Sequence, residues 1–221
     1  MTLPDHRRAA HVVAGLVAER LTAKAPLPGT DDYAAVRAEY ESRLFDAFIG
    51  FASSSGRGGR AFRNEAGRAV TDATSAAFYR GYQDAGGEET EAEDEDWLTA
   101  RQEGERGHLP GVFEWLAEAM EAETITEDAI RGRVDSWAAG LDGIYSEGKL
   151  RGAINIMLTF DGDDGEESCA QCQKHKGQRH SAKWWVKRDL VRRNGNENYD
   201  CGRWVPCQHH FFTDKGEMYA P

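Results

Sequence analysis

The four cysteines of the chain stand as two pairs near its C-terminal end. Cys169 and Cys172 are in Cys-x-x-Cys spacing, and Cys201 and Cys207 follow, with His209 and His210 directly after. A Cys-x-x-Cys pair puts two thiolates within reach of one tetrahedral ion, and a second Cys/His cluster roughly thirty residues later is the usual way to close a zinc site. With Cys169 and Cys172 as two ligands, the other two come from Cys201, Cys207, His175, His180, His209 and His210. Cys207 with Cys201 or His209 is favoured, because Gly202 and Pro206 border a turn that folds these residues inward. Disulfides and reduced or redox-active thiols are the competing states of the sulfurs. Disulfides need an oxidising compartment, and the opening MTLPDHRR has no apolar signal segment, so the expectation is structural zinc.

Other stretches that resemble chemical sites are weaker. Asp161-Gly-Asp163-Asp164-Gly165 has glycine where a calcium loop needs its third acidic or amide ligand, and a turn suffices to explain it. Ser53 to Gly59 is glycine-rich but lacks the Gly-Lys-Ser/Thr ending of a phosphate loop, so it reads as a connector. Lys174, Lys176, Arg179, Lys183, Lys187, Arg188, Arg192 and Arg193 interleave with Trp184 and Trp185. That mixture suits nucleic-acid backbone with stacked bases. It equally suits tryptophans packed over a metal, with solvated cations around them.

The elements that must position these residues are mostly helical. Val13, Leu16, Val17 and Leu21 predict a short amphipathic helix over residues 6–23, ended by Pro26 and Pro28. Thr30-Asp31-Asp32 can cap a second helix carrying Tyr33, Val36, Tyr40, Leu44, Phe48 and Phe51 on one face. A third, from about Arg60 to Asp84, places Phe62, Ala66, Ala69, Ala73 and Ala77 together, with Tyr79 and Tyr82 filling space beyond the alanines. Trp97 to Glu105 is helical in composition but interrupted by Gly104 and Gly107, and Pro110 opens the next segment. Thr124-Ile-Thr-Glu127 reads as a capping box before Ile130, Val134, Trp137, Leu141 and Ile144. That stripe is either bundle core or a seam for a second copy. From Ala153 the period becomes two: Ile154, Ile156, Leu158 and Phe160 alternate with polar residues, so a strand opens the C-terminal module.

The fold class expected is therefore mainly α with a small α+β C-terminal zinc-knuckle module. Residues 1–150 form a helical body and 151–221 the Cys/His module, with an acidic linker at about 84–96 inside the body. At 221 residues the chain suits one large domain or two small ones. Mean hydropathy of -0.67 and the lack of a long apolar run argue against a membrane span. The net charge of -11 argues against a protein that binds nucleic acid over its whole surface. The charge is uneven, since from Glu166 onward ten Lys and Arg face seven Asp and Glu. Glu88 to Asp96 holds much of the acidic excess, and such a block reads as solvated.

The sequence Cys169-x2-Cys172-x4-Gly177-Gln178-Arg179-His180, then Trp184-Trp185, Gly195-Asn-Glu-Asn198-Tyr-Asp-Cys201-Gly and Cys207-Gln-His209, resembles the C-terminal signature of phage minor head (head morphogenesis) proteins. The likeness is specific over roughly residues 150–213. Before that it is one of layout, with Arg80-Gly-Tyr82 closing an alanine-rich helix. Many members end in Cys-x-Cys where this chain has Cys207-Gln-His209, a change zinc tolerates. The resemblance implies a non-enzymatic component of the virion, in the capsid interior or at the portal vertex, after assembly in the host cytoplasm. Its partners would be the portal or major capsid protein, and packaged DNA through the basic module. It would act in capsid assembly, DNA packaging or DNA entry. Two rival functions are a ββα-metal nuclease using His180, His209 or His210, and a zinc-dependent DNA-binding or partner-binding module. Gly195-Asn196-Glu197-Asn198 fits the nuclease order poorly.

Overall fold

The computed structural model describes residues 32–54, 58–88, 90–153, 155–162, 169–191 and 209–220. The chain is mainly helical with a small antiparallel sheet, and it divides into two compact units. One unit takes the described residues up to Ala76 together with Asp96–Ala139. The other takes Ala77–Glu95 and the described residues from Gly140 onward. The C-terminal unit thus includes residues 77–95 and 140–152 as well as the described residues of the Cys/His stretch. The helix expected at residues 6–23 lies outside the described residues.

In the first unit, Asp32 caps α1 (Tyr33–Ser53) from an extended backbone, its carboxylate accepting the Ala34 N–H at 2.9 Å. Val36, Tyr40, Leu44, Phe48 and Phe51 recur every three or four residues and are all buried, as their spacing requires. The next helix, α2 (Gly59–Asp84), buries Ala66, Ala69 and Ala73 in this unit. Arg43 on α1 ties the two helices by pairing with Glu65 at 2.8 Å and Asp72 at 3.0 Å.

A helix α3 (Ala92–Gly107) runs without a break through Gly104, correcting the interruption expected there. Gly104 is exposed with open space around it, so it costs its helix only about 1 kcal/mol in propensity. Gln102 offsets part of that cost by donating to Ser75 Oγ at 2.7 Å. After it, α4 (Leu109–Glu121) carries Pro110 in its first turn and sets Phe113 edge-on to Phe48 and Phe51, at centroid distances of 5.6 and 5.0 Å.

The last long helix, α5 (Glu127–Gly152), is capped by Thr126, whose Oγ1 accepts the Ala129 N–H at 3.1 Å. The cap is therefore two residues later than the Thr124 box implied. Thr124 instead closes α4, its N–H donating to the Ala119 carbonyl at 2.9 Å. Ile130, Val134, Leu141 and Ile144 are buried within the chain itself and Trp137 is half-buried, so four of the five residues of this stripe are core.

In the second unit, the end of α2 crosses the end of α5 at backbone contact. A Cβ on Gly81, Gly148 or Gly152 would collide with the carbonyl of Tyr145, Phe78 or Tyr82 respectively. Tyr82 is buried beside this crossing, but Tyr79 is 37% exposed, so only one of the two tyrosines fills the space expected of both.

The strand expected after Ala153 is β1 (Met157–Asp161), with Leu158 and Phe160 on the buried face. It is followed by α6 (Ala170–His175), β2 (Arg179–Ser181), α7 (Ala182–Lys187), β3 (His210–Phe212) and β4 (Met218–Ala220). The sheet order is β2-β1-β3-β4, all antiparallel, with Leu158 opposite His180 and Phe160 opposite Phe211. No described helix is long and apolar enough to cross a membrane.

Candidate functional site

The first cysteine pair lies on one short turn. Cys169 is the N-cap of α6 and its Sγ accepts the Cys172 N–H at 3.4 Å. The Cys172 carbonyl accepts the Lys176 N–H at 2.9 Å, which ends the helix after little more than one turn. Cys169 is half-buried and Cys172 fully buried.

Cys172 belongs to the apolar core of the sheet, with Leu158, Phe160, Ala182, Trp185, Val191 and Phe211. Trp185 is its centre. Its ring meets Phe160 at 5.9 Å and Phe211 at 5.2 Å, and its indole N–H donates to the Leu158 carbonyl at 3.3 Å. Two candidate histidines sit on this same core. His175 meets Trp185 edge-on at 6.1 Å and pairs through Nδ1 with Gln178 Oε1 at 3.2 Å. His209, wholly buried, stacks on Phe160 at 5.6 Å with the planes 22° apart. When Nδ1 of His175 is the protonated nitrogen, its lone pair lies on Nε2, the tautomer that a metal-binding imidazole held by an amide oxygen adopts.

His180 is placed differently. It stacks on Trp184 at 3.6 Å with the ring planes nearly parallel, and Arg188 lies 4.2 Å from the Trp184 ring centroid. His210 begins β3 opposite Asp161 and is half-buried. Thus Cys169, Cys172, His175 and His209 all border one core, and His180 reaches the same Trp185 edge-on at 5.4 Å while also stacking on Trp184. Cys201 and Cys207 lie outside the described residues. Among the described residues no group of three or more His, Cys, Asp and Glu is disposed to hold a metal ion.

Two basic residues of the tail, Lys183 and Arg179, have partners that the sequence did not reveal. Lys183 donates to Glu91 at 2.7 Å, and this hydrogen bond raises the lysine and lowers the carboxylate from their ordinary values. Arg179 grips Asp214 through two nitrogens at 2.9 and 2.7 Å, holding that carboxyl below the usual range. Arg151, on α5, donates to Glu147 at 2.9 Å and to Asp94 at 2.8 Å. The acidic stretch read as a solvated linker therefore holds the first turn of α3, and Glu91 and Asp94 are engaged within the second unit. Trp185 is core and is closed to any stacked base.

Comparison with family models, with curated proteins and with solved structures finds no match to this chain.

Proposed function

We propose that the chain is a non-enzymatic minor head component of a phage or prophage, with its C-terminal module tied together by a structural zinc ion. One observation carries the metal part of this reading. The Cys169–Cys172 turn and the buried His209 both border the Trp185 core of the same small sheet. In a structural site the ion would be held by Cys169 and Cys172 with two of Cys201, Cys207 and His209. It would supply cross-links that a sheet this small lacks. The resemblance of residues 150–213 to head morphogenesis proteins carries the virion part, with the portal or major capsid protein as partner.

Burial of His209 favours this reading over a nuclease built on that residue, while His180 and His210, the other two candidates, are half-buried. His209 is wholly shut from solvent and stacked on a phenylalanine. That setting suits a ligand or core group, whereas a catalytic imidazole must meet a phosphodiester.

Metal analysis of the reduced, full-length protein should find about one zinc per chain, with chelation loosening the module while the helices persist. Protein free of zinc would overturn the metal part. Mass spectrometry of purified particles should find the chain inside virions, and its absence from them would overturn the head assignment.

A further inference from the structure

The helical unit carries a groove of about 690 Å³ between α2 and α4, closed at one end by the last turn of α3. Leu109 and Phe113 form its floor, Pro110 its exposed rim, and Gly67 a gap in the wall of α2. A Cβ on Gly67 would meet only Leu109, at 4.0 Å, so the absent side chain leaves a slot of apolar width.

Three guanidiniums surround that slot: Arg63, Arg68 and Arg106. Arg63 is held in place by the rings of Phe113 and Phe51, at 5.3 and 5.6 Å from their centroids. The one lining carboxylate, Asp72, is already paired with Arg43. Arg68 leans on Glu65, which Arg43 also holds. Among the described residues neither Arg63 nor Arg106 is in an ion pair. The groove thus presents two guanidiniums without an ion pair, Arg63 and Arg106, over an apolar floor, on a chain whose net charge is -11.

We propose that this groove is a docking site for an acidic peptide segment of a partner protein that also carries a large apolar side chain. Planar guanidiniums match carboxylates in paired geometry, and the Gly67 slot accepts the apolar group between them. A pocket of this volume suits a few residues of extended chain. Long nucleic acid fits less well, because the site has no extended row of cations and the overall charge repels a polyanion. The proposal concerns the helical unit alone and stands whether or not the chain is a head component.

The test is fluorescence anisotropy with full-length protein and a labelled hexapeptide, Glu-Asp-Leu-Phe-Glu-Asp. Saturable binding should weaken about tenfold in Arg106→Glu and in Gly67→Leu, and by a similar factor when Gly-Gly replaces Leu-Phe in the peptide. Both substitutions lie where space is open, and far-ultraviolet circular dichroism verifies that each variant folds. Absence of saturable binding, equal affinity in folded variants, or an oligonucleotide that binds more tightly and displaces the peptide would each overturn the proposal.

Discussion

Arg151 donates to Glu147 at 2.9 Å inside the second unit, where Glu147 is wholly buried and the arginine side chain is 6% exposed. The other arm of the guanidinium reaches Asp94, whose second oxygen accepts the Glu91 N–H at 3.2 Å and so caps α3. One cation therefore serves a buried carboxylate on its own helix and the start of another helix. Removing it takes a charged partner from each of two carboxylates in a largely desolvated place. Arg151→Met should cost about 3–5 kcal/mol in equilibrium urea unfolding, because a buried charge without its partner loses most of its compensation. Glu147→Gln, which keeps a hydrogen-bonding oxygen, should cost less. A loss under about 1 kcal/mol in Arg151→Met would show that water takes the place of the guanidinium.

Two glycines on α5 should respond to alanine with opposite signs. At Gly148 a Cβ runs into the Phe78 carbonyl, and backbone cannot yield as a side chain does. Gly148→Ala should therefore destabilise by about 1–3 kcal/mol despite the better helix propensity of alanine. At Gly132 no atom lies within 4 Å, so Gly132→Ala should stabilise by about 0.5–1 kcal/mol. Thermal melts of the two variants beside the parent measure both. Matching shifts would mean that the crossing of α2 and α5 is looser than these contacts require.

Tyr145 and Tyr219 both have pKa values pushed up to about 12. Burial is the main cause in each, and Tyr145 also donates to Asp84 at 2.7 Å. A phenol whose folded pKa is raised keeps its proton longer in the folded state than in the unfolded chain. Its contribution to stability is complete below the unfolded value near 10 and is lost as pH climbs toward about 12. Stability should accordingly decline across that interval. Ultraviolet titration should show a tyrosinate step near its upper end that shrinks in Tyr145→Phe. A titration in which every tyrosine ionises near pH 10 would contradict the burial of these two.

Where the fold was legible in advance, the signal was local. The spacing of Val36, Tyr40, Leu44, Phe48 and Phe51 alone dictates which side of α1 is buried, and the alternation through Leu158 and Phe160 does the same for β1. The errors came where two local choices were nearly equal and a neighbour decided. Thr124 and Thr126 both make good caps, but Glu123 adopts φ 54 at the end of α4, and Thr124 is used to close that helix. The ion pairs of the acidic stretch were illegible for a different reason. Its partners Lys183 and Arg151 are 92 and 57 residues away from Glu91 and Asp94, and nothing in the composition of the stretch signals them. The arginine groove was missed likewise, since Arg63 on α2 and Arg106 on α3 line one groove only through the packing of α2 beside α4 and the end of α3.

Replacing Cys169 by serine separates two roles that its sulfur can play. As the N-cap of α6 it accepts the Cys172 N–H at 3.4 Å, and a serine hydroxyl performs that task at least as well. If capping is its whole role, Cys169→Ser should leave stability within about 1 kcal/mol of the parent or raise it. If the sulfur is a zinc ligand, as we propose, the loss should reach several kcal/mol and the bound zinc should disappear, because metal affinity in such sites is folding energy. A chelator then provides the internal control: it should bring the parent down to the melting temperature of the variant and leave the variant unmoved. A variant that melts with the parent while the parent ignores chelation would reduce Cys169 to a helix cap.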